Sequence, residues 1–177
     1  MTPSPPPPTP PGWCGQPRVP RAPWAAWAAP VALGTGTSPR LAVNPSGLAV
    51  VVYRDASGTV EAAVRPAGGV WGAAETFCAS CDKTALAVDA EGNAVAAWVC
   101  SFRGESRVRP AAPGFVSAWS AADLATPTNV TPTQPQLAMD ARGTTVMVFR
   151  DVSTAIESVA RPGSGRRWAV LHRAPTG

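Results

Sequence analysis

The stretch that decides the fold is Leu86-Ala-Val-Asp89-Ala-Glu-Gly92-Asn-Ala-Val-Ala-Ala-Trp98. A short apolar run leads into an Asp-x-x-Gly turn, and a second apolar run follows and ends in Trp98. Aspartate opens such a turn by accepting backbone N–H bonds, and the glycine takes the position that needs a positive φ. The pattern therefore predicts two strands joined by a tight turn.

The same pattern occurs three times in the chain. The turn pairs are Asn44/Gly47, Asp89/Gly92 and Asp140/Gly143, and the closing aromatic residues are Tyr53, Trp98 and Phe149. The second apolar run is nearly continuous in each copy, which predicts a strand that is buried on both faces.

Each copy continues with a third strand that carries a glutamate and, four residues later, an arginine. These pairs are Glu61/Arg65, Glu105/Arg109 and Glu157/Arg161. A tryptophan marks the fourth strand, and Trp71, Trp119 and Trp168 follow one another at 48 and 49 residues. Four strands in 40 to 50 residues is the period of propeller blades. The predicted fold class is all-β, with β-propeller-type blades of four antiparallel strands, about three and a half repeats and an incomplete ring.

The repeats predict the domain organisation. The predicted units are a disordered Pro-rich tail at 1–12, a partial blade at 13–37, blades at 38–81, 82–132 and 133–172, and a tail at 173–177. Such an array leaves two terminal faces uncovered, with Val146, Val148 and Phe149 on the last one. We expect either a fragment of a longer protein or self-association that completes the ring, since two copies of three and a half blades make seven.

The segment 86–98 resembles the repeats of exported bacterial β-propellers, close to the NHL-type and the sialidase-like (BNR) groups. The resemblance covers residues 38 to 172 and, more weakly, 13 to 37. NHL-type repeats usually have an Asp where Trp98 stands, and the sialidase Asp-box Ser-x-Asp-x-Gly-x-x-Trp does not occur in this sequence. The resemblance implies a propeller fold and an extracellular or cell-surface location.

Charge and hydropathy exclude two classes of partner. The net charge is +4, but the arginines are spread along the chain and only Arg166 and Arg167 are adjacent. A nucleic-acid partner is not expected, because its basic stripe is missing. Apolar runs such as Leu48–Tyr53 are much shorter than the ~20 residues that a membrane-spanning helix needs.

No catalytic motif stands out. His172 is the sole histidine, which argues against a Ser-His-Asp triad or a multi-histidine metal site. No bound cofactor is expected, and Gly34-Thr-Gly36 lacks the rest of any phosphate-binding glycine motif. The resemblance implies that sialidase-like catalysis would need a tyrosine–glutamate pair and an arginine cluster, and the sole tyrosine, Tyr53, stands at a packing position of the repeat. We expect a binding or scaffolding module that is not an enzyme. The alternative is a remnant of a glycan-processing hydrolase.

One repeated charge position has two interpretations. Arg65, Arg109 and Arg161 recur in the third strands. They form either a solvated edge with orderly charges or a ring that binds an unknown ligand, a glycan or a protein.

The four cysteines are Cys14, Cys78, Cys81 and Cys100. The Cys78-Ala-Ser-Cys81 pair is compatible with half a zinc site, a redox couple, free thiols or a local disulfide. Zinc would need two further ligands from the other cysteines or His172. We predict a loop-stapling disulfide between Cys78 and Cys81, in keeping with an exported protein.

Overall fold

The computed structural model describes residues 28–100, 103–109, 118–126, 130–163 and 167–171. The chain splits into two compact units, Met1–Val31 and Ala32–Gly177. The first unit is described only at residues 28–31, which contain no strand. The predicted tails at 1–12 and 173–177, and residues 13–27 of the predicted partial blade, lie outside the described residues.

Every regular element in the described residues is a β-strand, and none is a helix. The first sheet contains β1 (Gly36–Val43), β2 (Ala49–Asp55), β3 (Val60–Arg65) and β4 (Glu75–Cys78). The second contains β5 (Cys81–Val88), β6 (Ala94–Cys100), β7 (Arg103–Arg109) and β8 (Asp123–Leu124). The third contains β9 (Thr133–Met139), β10 (Thr145–Arg150), β11 (Ile156–Arg161) and β12 (Ala169–Leu171). Each sheet is antiparallel and open, with its strands in chain order. The all-β prediction is confirmed for this part of the chain.

The strands divide the chain differently from the predicted blades at the first boundaries. Cys81 begins β5 and does not end the first sheet, while β1 begins at Gly36, inside the predicted partial blade. Residues 28–35 of that partial blade contain no strand. The blade limits and the propeller ring stay predictions.

The three Asx-Gly turns have the predicted geometry. The φ angles of Gly47, Gly92 and Gly143 are 89°, 96° and 75°. In the middle turn, Oδ1 of Asp89 accepts hydrogen bonds from the amides of Gly92 (2.8 Å) and Asn93 (2.7 Å). Because the side chain replaces the bonds that the bent backbone cannot make, the turn residues fix where each first strand ends.

The main core lies between the first two sheets. Val50 and Val52 of β2 are 0 % exposed and belong to one apolar cluster with Trp98 and Phe77. The Phe77 ring lies 5.2 Å from that of Trp98 and 4.9 Å from that of Trp119. Burying one valine side chain stabilises a fold by about 1.5–3 kcal/mol, so this cluster is a major contribution to sheet stacking.

A second core lies between the second and third sheets. Met147, Phe149 and Val159 pack there with Ala97 and Ala125. Phe149 is therefore buried against the preceding sheet, and the expectation that it would be uncovered at the end of the array is wrong. The three closing aromatics are all buried, as the repeat pattern predicts. Their exposures are 7 % for Tyr53, 1 % for Trp98 and 1 % for Phe149.

The tryptophans do not lie in the fourth strands, and this prediction was wrong. Trp71, Trp119 and Trp168 all come before the fourth strands, which begin at Glu75, Asp123 and Ala169. From these positions the rings pack onto the sheet faces, as in the edge-on contact of Trp119 with Phe77. A bulky ring that covers a neighbouring sheet is placed by packing and needs no position in a strand ladder.

The second strand of the third sheet is also not buried on both faces. In β10 burial alternates, with Met147 at 1 % exposed and Val148 at 39 %. The equivalents of Val148 in the other sheets, Val52 and Ala97, are 0 % and 1 % exposed. Both have a following sheet packed on them, whereas no described sheet covers the last face of β10.

Candidate functional site

A β-bulge recurs in the first strand of each sheet, opposite the closing aromatic. In β1 the register jumps between Thr37, paired with Arg54, and Arg40, paired with Val52. Ser38 and Pro39 therefore both lie opposite Tyr53. The same jump in β5 and β9 places Lys83 and Thr84 opposite Trp98, and Gln134 and Pro135 opposite Phe149.

The first bulge residue has a left-handed backbone in all three sheets. The φ angles of Ser38, Lys83 and Gln134 are 55°, 54° and 52°, and all three side chains are exposed. We call these three residues the bulge row. Non-glycine residues in this conformation cost about 1–3 kcal/mol each, and a bulge re-aims the side chains beside it. Because this strained conformation recurs in all three sheets, we infer that the bulge is part of the repeated structural unit.

The bulges of the first two sheets contact each other. Thr84 Oγ1 donates to the carbonyl oxygen of Ser38, and Arg40 Nε donates to the carbonyl oxygen of Thr84, both at 3.1 Å. Thr84 is buried, so this reciprocal pair satisfies polar groups that water does not reach. The sequence did not reveal the bulge row, because serine, lysine and glutamine have no common chemical property that would mark the repeated position.

The predicted arginine face is described at two of its three positions. The Arg65 guanidinium lies 5.7 Å from the centroid of the Trp71 ring, a cation–π distance. In Arg161, burial lowers the pKa of the guanidinium, and the charge of Asp123 in the neighbouring sheet opposes that shift. The side chain of Arg109 lies outside what the structure describes. The two described arginines therefore interact with different partners, and their role as a ligand face stays a prediction.

Three cysteines come together where the first sheet leads into the second. Cys78 ends β4, Cys81 begins β5 and Cys100 ends β6. Their Sγ atoms lie within 4.8 Å of one another, and each pair is at disulfide-bonding distance. We call this group the cysteine cluster. The predicted Cys78–Cys81 pair is thus adjacent, and Cys100 joins it because its β6 position is the register partner of Cys81.

The backbone around the cysteine cluster is well anchored. The Cys81 amide donates to the carbonyl oxygen of Gly58 at 3.1 Å, and Arg54 Nε donates to the carbonyl oxygen of Cys81 at 2.9 Å. Both bonds tie β5 to the β2–β3 hairpin. Cys81 and Cys100 are buried at 1 % and 8 % exposed, while Cys78 is partly exposed. Solvent therefore reaches one of the three sulfurs more easily than the other two.

The tyrosine–glutamate pair that a sialidase-like mechanism requires does come together. The Tyr53 hydroxyl donates to Glu61 Oε2 at 2.7 Å and is also 3.1 Å from the carbonyl oxygen of Leu33. Burial, followed by the hydrogen bond and charge of Glu61, raises the pKa of Tyr53 to about 12. A phenol that is harder to ionise than usual is a poorer nucleophile, so this environment opposes that chemistry.

A small cavity lies beside Tyr53. It has a volume of about 190 Å³ and is lined by Leu33, Gly34, Gly36, Thr37, Pro39, Val51 and Tyr53. Pockets for small-molecule ligands usually measure about 300–1,000 Å³, so this one is too small for a sugar chain.

Within the residues that the structure describes, no helix has the length and apolar character needed to cross a bilayer. No family model matches the chain, and no curated protein matches it.

Proposed function

We propose that this chain is a non-catalytic binding or scaffolding module of the β-propeller type, exported from the cell, and that two copies complete one ring. The observation that carries the proposal is the uncovered face of the third sheet. Ile156 and Val148 are 61 % and 39 % exposed there, whereas the equivalent Val60 and Val52 of the first sheet are both 0 % exposed.

The position of Val148 is apolar in every copy, and its equivalents Val52 and Ala97 are buried at 0 % and 1 % exposed. At this position the side chain is buried in the first two sheets, because the next sheet packs on it. In the third sheet no described sheet packs on it, and the side chain is exposed. Apolar faces of this kind mark sites of association in soluble proteins. The partner that fits best is a second copy of the chain, because the exposed face has the same pattern as the faces that already stack.

The bulge row supports a binding role. Its exposed Ser38, Lys83 and Gln134 belong to the first strands of the three sheets, and β5 lies in contact with both β1 and β9. The row offers a hydroxyl, an ammonium and an amide, which suit a polar ligand such as a glycan or a protein loop. The cysteine cluster at disulfide distance supports export, since disulfides persist in oxidising compartments.

The test replaces Val148 with glutamate and follows the oligomeric state by size-exclusion chromatography with light scattering. A charge on the uncovered face should shift the dimer to monomer, because its burial in an interface is costly. The matched control is Val152→Glu, since Val152 is 72 % exposed and lies in the turn between β10 and β11, in neither strand. A parent dimer that Val148→Glu leaves intact contradicts the proposed interface.

The alternative function, a remnant of a glycan-processing hydrolase, is favoured by one observation, the 2.7 Å contact of Tyr53 with Glu61. The burial and raised pKa of Tyr53 weigh against it. Fluorogenic sialosides distinguish the two functions. Hydrolysis by the parent protein that is lost in the Tyr53→Phe variant would support the hydrolase. Absence of turnover in both the parent and the variant supports the binding module.

A further inference from the structure

The cysteine cluster contains three sulfurs, but a sulfur forms only one disulfide. The pairs Cys78–Cys81, Cys81–Cys100 and Cys78–Cys100 are therefore alternatives, and one thiol is always left over. Which alternatives are available depends on the backbone, which is described at all three residues.

The Cα distances select two of the three pairings. They are 6.0 Å for Cys78–Cys81 and 4.5 Å for Cys81–Cys100, and both lie within the range usual for disulfides. The Cys78–Cys100 distance is 7.6 Å, beyond the ~7 Å that can be bridged without backbone movement. Cys81 is the partner common to both allowed pairings.

The leftover thiol differs between the two pairings. With Cys78 bonded to Cys81, it belongs to Cys100, which is only 8 % exposed. With Cys81 bonded to Cys100, it belongs to the partly exposed Cys78. A reagent in solution therefore meets an accessible thiol in one pairing and a buried thiol in the other.

We propose that Cys78 is a modification site for low-molecular-weight thiols, and that it is unmasked when Cys81 transfers its disulfide from Cys78 to Cys100. The Cys78–Cys81 disulfide, which the sequence predicts, is the first of these two states.

The chemistry needs no oxidant for the exchange itself. The Cys100 thiolate attacks Cys81 Sγ, the Cys81–Cys100 bond forms, and the Cys78–Cys81 bond breaks. The electron pair leaves on Cys78 Sγ, which takes up the proton that Cys100 lost. A low-molecular-weight disulfide then reacts with Cys78, forming a mixed disulfide and releasing one thiol. The same reagent forms the first disulfide by accepting two electrons and two protons.

The surroundings of the cysteine cluster favour disulfide chemistry over metal binding. The Ala79 carbonyl oxygen lies 3.4 Å from the Sγ atoms of Cys78 and Cys81 and 3.9 Å from that of Cys100. A carbonyl oxygen accepts a hydrogen bond from a neutral thiol and repels a thiolate. A structural zinc ion needs four ligands, and among the described residues no fourth His, Cys, Asp or Glu side chain lies with the three cysteines.

The experiment uses the full chain with Cys14→Ser, so that only the cluster reacts. The reduced protein is incubated with oxidised glutathione, quenched in acid, alkylated with N-ethylmaleimide and digested without reduction for mass spectrometry. We expect one disulfide and one glutathione adduct per chain, with the adduct on Cys78 in at least about tenfold excess over Cys100. Its rate should rise with pH, because the thiolate is the attacking species.

Single cysteine replacements distinguish disulfide exchange within the cluster from direct reaction of an exposed Cys78. Cys100→Ser should form the Cys78–Cys81 disulfide and lose the adduct on Cys78, because no exchange can release that sulfur. Cys81→Ser should form no disulfide within the cluster. Circular dichroism confirms that each variant is folded, and Cys100→Ala replaces Cys100→Ser if it is not.

Three results would overturn the proposal. They are an adduct on Cys78 in Cys100→Ser at the level of the parent, a Cys78–Cys100 disulfide in Cys81→Ser, and a stoichiometric metal ion in parent protein isolated without chelator.

Discussion

Tyr53 and Glu61 lie directly opposite each other on β2 and β3, and the Tyr53 hydroxyl donates a 2.7 Å hydrogen bond to Glu61 Oε2. The same register pairs Trp98 with Glu105 and Phe149 with Glu157. An aromatic opposite a glutamate is thus a common feature of the three sheets, and only the tyrosine has a hydroxyl to donate to it. This position explains both the burial of Tyr53 and its unusual ionisation.

The ionisation of Tyr53 can be measured directly because the chain has one tyrosine. In the folded protein, absorbance near 295 nm should titrate with a pKa of about 12, against the ordinary value of 10.0 after unfolding. The folded pKa is raised, so its contribution to stability is fully present below pH 10 and is lost as the pH rises toward 12. A pKa near 10 in the folded chain would show that the hydroxyl is not held as described.

The β10–β11 turn contains a residue with a strained backbone, and replacing it with glycine should stabilise the protein. Thr154 has a φ of 73°, and glycine fills the equivalent position of the β2–β3 turn, where Gly58 has a φ of 89°. Thr154→Gly should raise the free energy of unfolding by about 1 kcal/mol, because glycine adopts a left-handed backbone without steric cost. Urea denaturation measures the change.

The reverse replacement is the matched control. Gly58→Thr should destabilise by about 1–2 kcal/mol, since a β-branched residue is strained at positive φ. A Cβ at Gly58 would also lie 2.7 Å from Nη2 of Arg54, although that flexible side chain can move. Equal effects of the same sign in the two variants would contradict the shared turn geometry.

The Asx turns differ in how much each contributes to the stability of the fold. Asp89 is 4 % exposed and its carboxylate accepts three hydrogen bonds, from the Gly92 amide and from the amide and side chain of Asn93. Asp140 is exposed and accepts two, from the amides of Arg142 and Thr144. Asp89→Ala should cost about 2–3 kcal/mol and Asp140→Ala about 1 kcal/mol, because buried donors lose their partners only in the first case. Chemical denaturation of both variants checks the order, and a larger loss for Asp140→Ala would contradict it.

The sequence predicted the parts of the fold that local chemistry controls. An aspartate or asparagine three residues before a glycine is sufficient to place a turn, and the apolar runs on either side of Gly92 place two strands. The buried aromatics were predictable because Trp98 and its equivalents end those runs. The open last face followed from counting repeats, although the direction of Phe149 did not.

The remaining features depend on contacts between distant residues. The bulges at Ser38 and Lys83 bring the first two sheets together through Thr84, and no local pattern encodes that contact. Cys100 joins Cys78 and Cys81 through the pairing of β6 with β5, which fixes its register with Cys81. The tryptophans recur regularly, but their period does not reveal that they lie before the fourth strands.

Sedimentation velocity of the purified chain at micromolar concentration tests whether a second copy covers the apolar face of the third sheet. We predict a closed particle of twice the 18.1 kDa chain mass that dissociates on dilution. A compact, soluble monomer of 18.1 kDa at that concentration would contradict it, because Ile156 and Val148 would then remain exposed without a partner.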